Sequence, residues 1–209
     1  MIAYASNTGT KRNLAELRKY DWRVLLSPKN PKLPERFRFA LDNGAYSCWK
    51  SGEPFDTEGF TNLVEQYGGA ADFVVIPDIV TKGQESLVFS AKWIGRLKHC
   101  RRLLLAVQDG MTVDEVGKFI RLFGTGIFLG GSTEWKLKTL HAWGCAAHAL
   151  GCYYHVGRVN TIKRIRLCAE AGTDSFDGTS ATMFSCNVRM LDSARRQPSL
   201  LSPRNHVTR

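Results

Sequence analysis

The feature that most constrains this chain is a unit repeated along its length. A short apolar run ends in a polar residue or glycine, a loop follows, and then comes a stretch with helical spacing. The apolar runs fall at residues 2–6, 23–27, 37–42, 72–78, 103–108, 126–130, 152–157 and 173–177. Residues 56–67, 84–98, 112–123, 133–149 and 161–171 carry apolar side chains at intervals of about 3.6, the period of a helix with one buried face. Thr112 with Glu115 has the capping-box pattern, and Asp56 stands where an N-cap belongs. Gly124, Gly151 and Gly172 stand where helices should stop. Strands that alternate with helices pair in parallel. Eight of them predict an α/β fold, a compact (β/α)8 barrel of the TIM type. One helix of the ring is expected to be missing, because residues 28–34 hold three prolines and cannot form a regular helix. Residues 1–197 read as a single barrel domain. Residues 198–209, with Pro198 and Pro203, read as a flexible C-terminal tail.

Charge narrows the partner class. Lys plus Arg number 29 against 19 Asp plus Glu, a formal net charge of +10. Such an excess favours a polyanion, because each phosphate neutralised releases condensed counterions. Nucleic acid is therefore the expected partner. No apolar run approaches the ~20 residues that span a bilayer, so no membrane partner is expected. Residues 1–6 are too short and uncharged for a signal peptide, and a cytoplasmic location is expected. The six cysteines include no Cys-x-x-Cys pair, which argues against a standard zinc site. They read as reduced thiols packed in the core. Cys145 and His148 share a helix face, with Cys152 and His155 beyond Gly151, but close ligand pairs are lacking. Cys145 is expected in the core, and neither a metal nor a cofactor is expected.

The strand ends carry the chemistry. Asp42, Asp78, Gln108 and Asp177 each close an apolar run, Gly130-Gly131 follows another, and Gly157-Arg158 another. In a parallel barrel these ends meet on one face, where barrel active sites lie. Side chains alternate along a strand. Ala40 and Asp42 therefore share one face, and Ser175 and Asp177 share another, while Phe176 and Asp174 point the opposite way. Asp42 and Asp177 are expected inside, and Asp174 is a poor candidate. Singly, an Asp after a strand is commonly a cap or turn residue. It is the convergence of several on one face that makes a candidate site. Tyr46 and Tyr154 could stack on a base or simply pack. Arg158, Lys163, Arg164 and Arg166 could hold phosphates, as could Arg189, Arg195 and Arg196.

These motifs resemble those of the tRNA-guanine transglycosylase superfamily, most of all its short members that place 7-deazaguanines in DNA. Asp42-Asn43-Gly44-Ala45-Tyr46-Ser47 is similar to the family's Asp-Ser-Gly-Gly-Phe-Gln. Ile76-Pro77-Asp78 and Val107-Gln108-Asp109-Gly110 are similar to segments that read the base. Phe128-Leu129-Gly130-Gly131 is similar to the segment whose backbone N–H meets the base carbonyl, and His155-Val156-Gly157-Arg158 to one that lines the pocket. Gly172-Thr173-Asp174-Ser175-Phe176-Asp177-Gly178 is similar to the segment that holds the nucleophile. The likeness runs in order from about residue 37 to 182. It implies Asp177 as nucleophile and Asp42 as general acid/base. It implies Asp78, Gln108, Gly130, Gly131, Val156 and Gly157 as base-binding residues, and a guanine exchanged for a 7-deazaguanine in a nucleic acid. The family's cluster of three Cys and a His is absent, and Asp-Asn-Gly-Ala replaces Asp-Ser-Gly-Gly. DNA is favoured over tRNA on that account. A tRNA-guanine transglycosylase and a nucleoside or nucleic-acid N-glycoside hydrolase are the alternatives. A non-catalytic nucleic-acid-binding barrel would explain the charge but not the carboxylates, and a small-molecule barrel enzyme with a phosphate site would show no affinity for polynucleotides.

Overall fold

The computed structural model describes residues 1–197, so the expected tail at 198–209 lies outside the described residues. Eight parallel strands close into one barrel in chain order. The strands are β1 (Ile2–Ser6), β2 (Arg23–Leu26), β3 (Phe39–Leu41), β4 (Val74–Val75), β5 (Leu103–Val107), β6 (Gly126–Leu129), β7 (Tyr154–Val156) and β8 (Ser175–Gly178). Closure pairs Ile2 with Ser175 and Tyr4 with Asp177, so the last strand is set by the first. Each lies within or overlaps a predicted run, usually with shorter ends. Beyond β3 the backbone still follows the ladder, with the Asp42 N–H donating to Leu26 O at 2.7 Å.

The helices are α1 (Lys11–Lys19), α2 (Ala45–Ser51), α3 (Thr57–Tyr67), α4 (Gly83–Ala91), α5 (Val113–Phe123), α6 (Thr133–Leu150), α7 (Ile162–Glu170), α8 (Ser180–Met183) and α9 (Asn187–Arg196). No helix joins β2 to β3, where the prolines lie. The predicted caps form: Thr112 and Glu115 make a capping box, and Asp56 accepts from the Gly59 N–H. The helix expected over 84–98 stops at Ala91, and a 3₁₀ turn at Ile94–Leu97 follows. The sequence reading missed α1, α2, α8 and α9. In α1 only Leu17 is buried among nine mostly polar residues, too sparse a signal for periodicity to register.

Alternation sorts the strands into two layers. Tyr4, Leu25, Ala40, Phe73, Val75, Leu104 and Ala106 fill the barrel interior. Ala5, Leu26, Leu41, Ile76, Val107, Leu129 and Phe176 pack outward against the helices. Each large side chain so buried contributes about 1.5–3 kcal/mol. At the N-terminal end the barrel is plugged by Asp72. It accepts from Arg23 at 2.8 Å, from Arg38 at 3.2 Å and from the Tyr4 hydroxyl at 3.0 Å. There too, α9 docks through Asp192, which accepts from Trp22 Nε1 at 3.0 Å. Asp192 also binds Arg195 and Arg196. Those two arginines are thus engaged in a structural clamp at the end remote from the C-terminal strand ends, which corrects their reading as phosphate ligands.

The cysteine reading also needs correction. Only Cys168 is buried, while Cys145 and Cys186 are exposed. Cys145 lies on the outer face of α6 because the inner face is taken by Leu140, Trp143, Gly144 and Ala147. Among the described residues, no helix is long and apolar enough to cross a membrane.

Candidate active site

The C-terminal strand ends bring Asp42, Asp78, Gln108, Gly157 and Asp177 to one mouth. Asp42 follows Ala40 on the inward face of β3, and Asp177 follows Ser175 on that of β8. The two carboxylates are close enough for Asp177 to push the Asp42 pKa upward. Burial contributes most to that rise, Asp177 next and Asp78 after it, and together they bring Asp42 to about 7 against backbone N–H bonds from Gly44 and Asn43. Burial likewise lifts Asp78 to about 6, opposed by a hydrogen bond from Asn43. Neither carboxylate has an ion-pair partner among the described residues.

Asp78 and Gln108 belong to one network. Asn43 Nδ2 donates to Asp78 Oδ1 and to Ile76 O, both at 2.8 Å, while its own Oδ1 accepts from the Ala45 N–H. Gln108 Nε2 donates to Asp78 Oδ2 at 3.3 Å and to Ile79 O at 3.0 Å. Its Oε1 accepts from the Thr81 N–H at 2.5 Å. Asn43 thus bridges the end of β3 to the end of β4, beyond their backbone ladder.

Asp177 is 5% exposed and is gripped from beneath by His155, whose Nε2 lies 3.0 Å from Oδ1. The His155 Nδ1 meets Ser175 Oγ at 2.7 Å. The ring is stacked on Phe128, with centroids 4.8 Å apart, and is fully buried. Both ring nitrogens are therefore engaged, one with the carboxylate and one with the serine hydroxyl. The other oxygen, Oδ2, receives the Arg158 backbone N–H at 3.3 Å. Arg158 has φ of 58°, a left-handed conformation that side chains seldom adopt, and the turn it makes aims that N–H at the carboxylate. Its guanidinium donates to Gly131 O and lies 4.4 Å from the centre of the Tyr46 ring.

No protein-family model matches this chain, and no curated protein matches it.

The other expected site residues are placed unevenly. The Gly130 N–H is engaged in the barrel ladder with Val107 O at 2.8 Å, so it is not a donor to a ligand. Gly131 follows it with φ of 69°. Gly157 faces the interior, where a Cβ would come within 2.8 Å of Phe128 and 3.4 Å of Asp177 Oδ1. Val156 points the other way, into the layer under the helices, so its side chain does not line the mouth. Tyr154 shares that outward face, and its buried hydroxyl donates to Leu140 O at 2.8 Å. Tyr154 is thus a packing residue, whereas Tyr46 is exposed at the rim. Lys163 is exposed and Arg164 half-buried on the first turn of α7, beyond Arg158. Asp174 lies at the far end of β8 and accepts from the Tyr154 N–H.

Besides Asn43, two residues escaped the sequence reading. His155 has the same parity as Gly157 in β7, which was the available signal. Lys136, on the first turn of α6, is 2% exposed and donates to Gly157 O. Burial, then repulsion from Arg158, lowers its pKa to about 8, partly offset by Asp177. A lysine on a helix ordinarily reads as solvated, so no pattern announced it.

Proposed function

We propose that this protein exchanges guanine in a nucleic acid, DNA in preference to tRNA, for a 7-deazaguanine base through a covalent intermediate on Asp177. The observation that carries the reading is the convergence of Asp42, Asp78 and Asp177 on one barrel mouth. It is joined by the motif resemblance and by the positive charge of the chain. Breaking C1′–N9 creates an oxocarbenium-like centre that a carboxylate can trap. Asp177 attacks C1′ as the bond pair passes to N9, and a protonated Asp42 delivers the proton that lets guanine depart. A pKa near 7 keeps Asp42 able to hold and release that proton around neutrality. The incoming base then gives its N9 proton to Asp42, attacks C1′ and displaces Asp177. His155 steadies Oδ1 and leaves Oδ2 for the attack. Asp78 accepts from the N1–H and amino group of the base, and Gln108 donates to its carbonyl. Both exchange their present bonds with Asn43 and Ile79 for bonds to the ligand. The target nucleotide must leave its stack to reach these groups.

The test is to incubate the protein with DNA or tRNA carrying radiolabelled guanine, with and without candidate 7-deazaguanine bases. Release of label matched by incorporation of the added base supports exchange. Release that leaves an abasic site and no incorporation would replace this reading with N-glycoside hydrolysis.

A further inference from the structure

Charge is unevenly distributed around the mouth. Because the barrel closes between β8 and β1, the loops after β7, β8, β1 and β2 form one continuous arc. Residues 7–12, 27–32, 157–164 and 179–189 hold no Asp or Glu. They carry Lys11 and Arg12 after β1 and Lys29 and Lys32 after β2, all exposed. Lys163 and Arg164 follow Arg158 after β7, and Arg189 follows β8. Among the described residues none of these cations forms an ion pair. Across the mouth, the loops and first turns after β5 and β6 carry Asp109, Asp114, Glu115 and Glu134, with Lys136 buried among them and Asp114 paired to Lys118 at 2.6 Å.

A second feature lies inside the arc. The short helix α8 is pinned to the rim on both sides. Thr182 Oγ1 donates to Ser6 O at 2.6 Å, and the Asn13 side chain donates to Thr182 O. Asn160 Oδ1 accepts from the Thr179 and Ser180 N–H groups at 2.8 and 3.0 Å. This fixed support ends in Met183 and Phe184, which are 67% and 55% exposed. A pair of large apolar side chains carried into water at the end of this hydrogen-bonded turn, flanked by unpaired cations, is complementary to a ligand with both phosphates and flat apolar faces.

We infer that this arc is the track of the nucleic-acid strand, and that Phe184 and Met183 enter the base stack where the target nucleotide leaves it. The track rests on the charge distribution, and the wedge rests additionally on the base-exchange reading. Phosphates neutralised by the arc place the backbone alongside Arg158, whose N–H already touches Asp177. Apolar side chains inserted at a base step occupy the gap that a displaced base leaves. A polynucleotide is favoured over an anionic membrane because a bilayer pressed on the arc would seal the mouth that the arc surrounds.

Binding is measured by anisotropy of fluorescein-labelled guanine-containing DNA across a salt series, with the full chain throughout. Lys11→Gln with Arg12→Gln is expected to weaken binding about fivefold at low salt. It should flatten the slope of log K against log salt by about 1.4–1.8, the contribution of two phosphate contacts. Asp114→Asn with Glu134→Gln should not reduce binding. Phe184→Ala should leave the salt slope unchanged but abolish the fluorescence rise of a 2-aminopurine placed beside the target guanine in a duplex. Matching melting curves confirm that these exposed substitutions leave the fold intact. Unchanged binding in the Lys11/Arg12 variant overturns the track. So does retention on phosphatidylglycerol–phosphatidylcholine vesicles with no DNA binding. An unaltered 2-aminopurine signal in Phe184→Ala overturns the wedge. DNA binding that follows the expected pattern without any base exchange overturns the proposed reaction and leaves the track standing.

Discussion

At the N-terminal end of the barrel, Asp72 meets two arginines and a tyrosine hydroxyl, and its side chain is 14% exposed. At the C-terminal end, Asp42 and Asp78 sit in comparable enclosure with no cation opposite, and each is pushed upward in pKa. A carboxylate buried for stability is neutralised by its neighbours, as Asp72 is. One left to face other carboxylates holds its charge at a cost to the fold, and such groups cluster where protons must be exchanged. The same contrast separates Asp192, clamped by Arg195 and Arg196, from Asp177, which has a histidine beneath it and a backbone N–H beside it. The electrostatics of the two ends thus divide the molecule into a base whose carboxylates are neutralised by arginines and a mouth whose carboxylates are not.

On that division, substitutions at the mouth should change chemistry and those at the base should change stability. The largest effect is expected from Asp177→Asn, which should lower base exchange by at least about 10³-fold while the protein stays folded. Label release and recovery of a protein–nucleic acid adduct on a denaturing gel measure it, and wild-type turnover in this variant would sink the mechanism. Asp42→Asn should slow exchange by about 10²–10⁴-fold, the range of general acid–base contributions, with the adduct on Asp177 still detectable at long times. Asp78→Ala should raise the apparent KM for the incoming base by at least about tenfold, since both its hydrogen bonds to the base are lost. Its affinity for nucleic acid should hardly move, and unchanged base selectivity would show Asp78 to be only a partner of Asn43 and Gln108. At the base, Arg23→Met strips the closest cation from Asp72. It should cost about 2 kcal/mol, less than a fully buried pair because Arg38 remains. Exchange per folded molecule should be preserved, and a comparable loss of activity would erase the distinction between the ends.

How far the sequence foretold this depends on which physical signal each residue carries. The repeat of apolar runs and helical stretches was enough for the barrel, because alternation of strand and helix leaves few ways to bury both faces of a parallel sheet. Period-two alternation placed Asp42 with Ala40 and Asp177 with Ser175 on the interior face. The same rule applied to β7 separates His155 and Gly157 from Val156. Matching that segment to a motif instead of counting its parity put Val156 in the site and left His155 out. Arg195 and Arg196 were misread because charge alone does not reveal an Asp192 waiting three and four residues earlier on the same helix face. Lys136 and Asn43 had no legible signal: one is buried against the usual habit of lysine, and the other looks like a turn residue until its bonds to Asp78 and Ile76 are seen.

The smallest expected effect, on stability against pH, tests the comparison without any substrate. Asp42 and Asp78 titrate at about 7 and about 6 in the folded chain, against roughly 3.9 for an unfolded aspartate. Between about pH 4 and 7 the folded state therefore binds more protons than the unfolded state. The difference ν_U − ν_N is negative, and stability falls as pH rises through this window. The two carboxylates thus favour the fold when protonated and oppose it when ionised. Asp42→Asn should flatten that slope and raise Tm at pH 8 by about 2–4 °C, the shift that ~1 kcal/mol produces in a chain of this size. Thermal melts of wild type and variant at pH 5 and pH 8 measure it. The variant should gain at pH 8 and lose that advantage at pH 5, where wild-type Asp42 is already protonated. A Tm that falls at both pH values would mean that Asp42, like Asp72, is held for structure, and the contrast between the two ends of the barrel would fail at its most direct point.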